Sequence, residues 1–284
     1  MAFSASKSRK RRDQRPVGRG RPINPSAAIR EWYAGEINSI CKLMIEEYRA
    51  QIKEALKSGP VAKFFATDAA ATNKLTSSLS KLEKRWARIF NAFAEKTAAE
   101  FIKKVDEGAT TATLMSLKTA GIDQPRAAYT SNVANTLQAA QEFNHTLITN
   151  IQKETHEKVF NAVMLSLTSP NPEEQGQSGI ENALKEIGSF SKNKVKLIAR
   201  DQTSKLYSSL SDERMAENGV EEFEWAHSSA GKEPRHSHQK MDGHIFKLND
   251  PRLWQIGGEF DLKKGDLGPP GWAINCRCRK IPVI

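Results

Sequence analysis

NGVEEFEWAHS, residues 218–228, is where one kind of pattern stops and another begins. Asn218-Gly219 reads as a helix stop, because both residues accept the left-handed conformation that closes a helix. Beyond it, Phe223, Trp225 and His227 fall on one side and Glu222, Glu224 and Ala226 on the other. A period of two is that of an extended strand. Downstream, GHIFKLN (243–249) predicts a second short strand. CRCRKIPVI (276–284) predicts a third, which Pro282 confines to an edge or an end. Between them run loops rich in glycine and proline, IGGEF (256–260) and KKGDLGPPGW (263–272). Residues 220–284 therefore predict a small, loop-heavy β region attached to helices.

Upstream the apolar spacing changes to three and four. Ile37, Cys41, Met44, Tyr48 and Ile52 predict a helix that starts near Asn24-Pro25-Ser26, runs to about Lys57 and is stopped by Ser58-Gly59-Pro60. Cys41 lies on its apolar stripe, the place for a buried, inert thiol. A second seam, Leu75, Leu79, Leu82, Trp86, Ile89, Phe93, Thr97 and Phe101, predicts a helix ending at Gly108. TATLMSLKTAG (111–121) reads as a separate short helix. Ala127 to about Leu167 reads as one long helix or two in line, with His145 and His156 as ordinary surface residues. TSPNPEEQGQSG (168–179) is the strongest internal punctuation. Two further helices are expected, Ile180–Gly188 and Lys192 to about Asn218. The fold class expected is α+β: long N-terminal helices, then a small C-terminal α+β domain with short strands and long loops. The domains expected are a disordered basic arm over 1–25, a helical domain over 26–168 and a C-terminal domain over 180–284.

The formal net charge is +10 over 284 residues. Much of the excess is local: Lys7, Arg9, Lys10, Arg11, Arg12, Arg15, Arg19 and Arg21 face the single acid Asp13. Such a block has almost nothing apolar to bury and favours acidic partners, nucleic acid above all. No apolar run reaches the roughly 18 residues of a membrane span, and no apolar segment follows the basic cluster as in a secretory leader. Three cysteines do not make a disulfide framework, so a reducing compartment is the expectation. No phosphate-binding glycine loop, nucleophile elbow or HExxH is present.

What the bulk leaves unexplained is PRHSHQKMDGHIF (234–246) together with Cys276 and Cys278. A bond between cysteines two apart fits poorly to disulfide geometry. On an extended segment, however, residues two apart share a face. Cys276 and Cys278, with His236 and His238 repeating the spacing, could then surround a tetrahedral zinc ion, with His227 and His244 as alternative ligands. The competing reading makes the cysteines small buried strand residues and the histidines polar loop residues. An open metal position would admit a nuclease or related hydrolase. Arg235 is either exposed or holds a carboxylate or loop carbonyls with its fork, pinning the histidine loop. Asp242-Gly243 marks a tight turn.

IARDQTSKLYSSLSDERMAENGVEEFEWAHS (198–228), then PRHSHQKMDGHIF, then PGWAINCRCRKIPV (270–283) resembles the phage Mu F-like minor head protein family over about residues 180–284. The helix start is carried by Ala199, Arg200, Asp201, Gln202 and Thr203, and the step into a strand by Gly219, Val220 and Trp225. Arg235, His238, Asp242 and Gly243 form the loop, and Pro270, Gly271, Asn275, Cys276, Arg277 and Cys278 the end. One departure is SSAGKEPRHSH, where Pro234 separates Glu233 from Arg235. The resemblance implies a minor structural protein of a tailed-phage head, not an enzyme, acting in head morphogenesis. It implies synthesis in the host cytoplasm, a place in the head interior, and association with the portal and other head proteins. It also implies that His238, Cys276 and Cys278 converge. In that setting the basic arm would bind double-stranded DNA without sequence preference, and the amphipathic helices would serve docking or self-association; no membrane is involved. The alternatives are a metal-dependent nuclease or hydrolase using the His/Cys cluster, and a general DNA-binding protein acting through the arm.

Overall fold

The computed structural model describes residues 18–57, 69–168, 171, 176–229 and 233–284. Four long helices come first: α1 (Ala27–Lys57), α2 (Ala69–Ala120), α3 (Ser131–Thr168) and α4 (Gly176–Glu217). Then follow β1 (Glu222–Ala226), the short α5 (His236–Lys240), β2 (Ile245–Lys247), a 3-10 turn (Pro251–Trp254) and β3 (Arg279–Val283). The α+β class is as expected. By compactness the chain forms two units, one from residues 1–26, 105–136 and 203–284, the other from 27–104 and 137–202.

Two helix boundaries differ from the sequence reading, for one reason. α2 runs through Gly108 without a break, and 111–121 is its last stretch rather than a separate helix. Val105, Ala109, Thr113, Leu117 and Ala120 continue the buried stripe of Ala98 and Phe101 past the glycine. A glycine inside a helix costs about 1 kcal/mol, less than a stripe of buried side chains returns. The same holds in α4, a single helix of 42 residues. Its stripe, Ile180, Leu184, Ile187, Ser191, Val195 and Ile198, keeps step across Gly188.

In the unit formed by 27–104 and 137–202, Tyr33, Ile37, Met44, Tyr48, Leu79, Phe90 and Phe101 are fully buried or nearly so. The Tyr33 hydroxyl donates to Asn144 Oδ1 at 2.9 Å, and its ring stacks on Phe101. His156 is not a surface residue. It is buried, its Nδ1 lies 2.7 Å from the Tyr48 hydroxyl, and its Nε2 lies 3.5 Å from Glu83. Burial lowers its pKa, against the pull of Glu83. Burial likewise pushes the Cys41 thiol up to about 12, which leaves it inert.

The sheet has the order β2-β1-β3, antiparallel throughout. Phe223 pairs with Phe246 and Pro282, and Trp225 with Lys280. Phe223 and Trp225 face inward and join Met241, Phe246, Leu253, Phe260, Leu262, Ala273, Cys276 and Cys278 in one small core. Lys280 is buried with them. Its ammonium donates to Ser208 O at 3.0 Å and to Asp212 Oδ1 at 2.5 Å, fastening β3 to α4.

The arm expected over 1–25 is in place from Gly18 onward. Gly20 N donates to Pro282 O and Ile23 N to Lys280 O, while Ile284 N donates to Gly18 O. In a strand, a residue's N–H and C=O point to the same side. The Pro282 carbonyl faces Gly20, so the donor that proline lacks is missing on the arm side and costs β1 nothing. Gly20 is required by proximity: a Cβ there would lie 2.5 Å from Ser116 Oγ and 2.8 Å from its carbonyl oxygen. Ser116 Oγ in turn accepts from Arg21 N and donates to Arg21 O. The guanidinium of Arg19 forks onto Glu224 at 2.5 and 2.8 Å. Two of the eight proposed DNA contacts thus sit on an ordered segment, with Arg19 engaged by an acid and the Arg21 side chain exposed. Burial of Ile23 and the match to the free edge of β3 supply what composition does not show. Lys7, Arg9, Lys10, Arg11, Arg12 and Arg15 lie outside the described residues, as does half of the punctuation at 168–179.

Candidate metal centre

The loop between β1 and β2 folds back as α5, entered through Arg235 in an extended conformation. A helix turns about 100° per residue, so residues two apart point to opposite sides. This separates the histidines that an extended segment would have aligned. His238 is buried, whereas His236 is exposed, with its Nδ1 3.1 Å from Gln239 Oε1. His236 is therefore not part of the cluster. Nor are His227, whose backbone N–H donates to Asp242 Oδ1, and His244, which packs edge-on against Phe260.

α5 is held by an acid that the sequence reading did not single out. Asp266, in the KKGDLGPPGW loop, takes Arg235 Nε on Oδ1 at 2.9 Å and the Ser237 hydroxyl on Oδ2 at 2.8 Å. The other arm of the Arg235 fork donates to Ile274 O at 2.7 Å. Of its two readings, Arg235 adopts the pinning one. The carbonyl of Asp266 completes the arrangement by lying 3.0 Å from His238 Nε2. A carbonyl can only accept, so Nε2 carries a proton, and in the neutral ring the lone pair then lies on the Nδ1 edge.

That edge faces both thiols. Cys276 Sγ lies 3.5 Å and Cys278 Sγ 3.6 Å from His238 Nδ1. The three donor atoms all fall within 4.8 Å of one another. The cysteines sit on the approach to β3 and, being two apart on an extended stretch, share a face. Two left-handed residues bend the chain to bring them in: Gly271 at φ 88° and Asn275 at φ 60°. Gly271 is also a close approach, since a Cβ there would lie 3.0 Å from Ser204 O. Its N–H donates to Cys276 Sγ at 3.4 Å. Trp225, fully buried, closes one side with its ring centroid 5.0 Å from that of His238. Pro270 is buried beside Gly271, and Gly243 at φ 77° donates to Trp225 O at 2.8 Å, bringing the chain back along β1. Arg200 is half-buried on α4.

The thiols share their protons unequally. The Cys276 thiol is drawn below its ordinary value, first by the hydrogen bond from Cys278 and then by His238 and the Gly271 N–H, against burial. Cys278 is pushed up by that same hydrogen bond and by burial. One imidazole nitrogen and two sulfurs in a buried pocket form a soft donor set of the kind that selects zinc.

Residues 158–281 match the family model described as phage Mu protein F like protein. The Mu F-like match begins within α3 and ends within β3, so it takes in all of α4, the sheet's first two strands, α5 and the three donors. This agrees with the resemblance carried by the motifs, and the family suggests a phage head morphogenesis protein. An uncharacterized protein of Haemophilus influenzae is 28% identical over 270 residues, which is 93% of this chain and 55% of that protein. The chain thus spans about half the length of the curated relative. No solved structure matches.

Proposed function

We propose that the chain is a minor structural protein of a tailed-phage head that acts in head morphogenesis, associated with the portal and in contact with packaged DNA. The Mu F-like match carries this reading, because it falls on the pinned module that holds the ordered motifs. The protein would be made in the host cytoplasm and built into the head interior, with residues 180–284 as its Mu F-like domain and residues 26–168 as a helical domain for docking or self-association. No helix among the described residues is long and apolar enough to cross a membrane.

DNA contact falls to Lys7, Arg9, Lys10, Arg11, Arg12 and Arg15, with Arg21; Arg19 is already committed to Glu224. Contact of this kind is non-specific and weakens steeply with salt. Catalysis finds little support in the cluster, since His238, Cys276 and Cys278 are only 2%, 3% and 4% exposed.

The test is assembly. Co-expressed with portal and major head proteins of the same phage, the chain should copurify with portal and remain in sedimented procapsids. Its absence from both would sink the reading. Removing residues 1–15 should flatten the salt slope of DNA binding by about 0.9 per lost phosphate contact; an unchanged slope would move the DNA site to the folded part.

A further inference from the structure

We propose that His238 Nδ1, Cys276 Sγ and Cys278 Sγ bind a single zinc ion that locks the histidine helix to the last strand, with water as the fourth ligand.

The distances carry this first. Zinc bonds of about 2.0–2.1 Å to nitrogen and 2.3 Å to sulfur, set at the tetrahedral angle, place N and S about 3.6 Å apart. The two separations here are 3.5 and 3.6 Å. Nδ1 has one lone pair in the ring plane, and both thiols stand in range of it. An ion at the centre satisfies both sulfurs and the nitrogen at once.

The surroundings are those of a ligand rather than of a packed histidine. Metal-binding imidazoles usually donate their other N–H to a carbonyl or carboxylate, which fixes tautomer and ring orientation. The Asp266 carbonyl does this for His238, and Asp266 is itself held by Arg235 and Ser237. The Gly271 N–H donates to Cys276 Sγ, as backbone amides do to bound thiolates. Two thiolates neutralise one Zn²⁺, so the complete centre carries no net charge into a buried pocket. Among the described residues no further His, Cys, Asp or Glu joins the three, which leaves the fourth position to water.

The role is structural. The module has a small aromatic core and long loops, the circumstance in which a metal supplies what burial does not. His238 comes from the β1–β2 connection and the cysteines from the approach to β3, so one ion ties segments 38 and 40 residues apart in sequence.

The experiment is metal analysis of the full chain purified under reductant without chelator, together with cobalt exchange and thermal melting. One zinc per chain is expected. Cobalt replacement should give the visible bands of a tetrahedral ion with thiolate charge transfer. His238→Gln, Cys276→Ser and Cys278→Ser should each lower zinc content at least tenfold, while His236→Ala keeps one per chain. A chelator should lower the melting temperature of the wild type, and added zinc should restore it. The wild-type measurements decide the matter even if a ligand variant fails to fold. Metal-free wild type with a melting temperature indifferent to chelator would overturn the proposal. So would a mass lower by two hydrogens, marking a Cys276–Cys278 disulfide. Neither result bears on portal association, which is read by copurification.

Discussion

The helical unit of residues 27–104 and 137–202 and the C-terminal module are held by different means. In the first, buried side chains follow one another along stripes, and each neighbour shares the work with many others. In the second, a few polar groups act at single points: Arg235 on Asp266, Lys280 on Asp212, Arg19 on Glu224 and Arg252 on Asp250. A distributed seam tolerates the loss of any one methyl group. A point contact between buried polar groups does not, because the abandoned partner stays buried and unpaired. Single changes should therefore be costlier, and less additive, in the module than in the helices.

The largest effect tests this directly. Lys280→Ala leaves the Asp212 carboxylate beside an apolar gap and should cost about 3 kcal/mol, the low end for a broken buried pair because Asp212 keeps 24% of its side chain in water. Urea unfolding would measure it. Lys280→Met combined with Asp212→Leu should recover most of the loss, and a double mutant no better than Lys280→Ala would show that the pair is not the cause. Next comes Arg235→Lys, which keeps the charge but cannot serve Asp266 and Ile274 O together; about 1–3 kcal/mol is expected. In the helical unit, Ile37→Val should cost about 0.5–1.5 kcal/mol. Paired with another seam substitution more than 10 Å away, it should add simply. Strong coupling there would erase the contrast.

The smallest expected effect depends on pH. The Asp250 carboxyl is held below its ordinary value first by hydrogen bonding from Arg252, against some burial, with the backbone N–H groups of Arg252 and Lys247 adding to the effect. A depressed carboxylate stabilises the fold fully above its unfolded value, near 4, and loses that contribution as pH falls through the folded value. Asp250→Ala should cost about 1 kcal/mol at pH 7. The gap in melting temperature between variant and wild type should narrow at pH 3; a gap independent of pH would assign Asp250 a packing role instead.

The same contrast governs what could be read from the chain beforehand. Stripes recur at a fixed spacing, so the helices and the alternating strand at Phe223 and Trp225 were legible residue by residue. Glycine was over-read: Gly108 and Gly188 look like stops, yet the buried stripe on either side carries the helix through. The candidate centre was only partly legible. Cys276 and Cys278 share a face because their segment is extended, but His236 and His238 do not, because five residues around them coil into a helix too short to leave a periodic trace. Asp266, Asp212 and Glu224 act on partners 31, 68 and 205 residues away, and no local pattern marks such a partner. Arg235 was the one usable hint, since a fork in a tight loop needs a carboxylate from somewhere.

The anchoring of Gly18–Ile23 along β3 also has a mechanical meaning. A pull on the residues before Gly18 does not reach the helices first. It is taken up by the Ile284–Gly18 and Gly20–Pro282 hydrogen bonds and by the Arg19–Glu224 fork. Any load applied there strains the sheet edge first, and what yields is a peelable strip rather than the body of the protein.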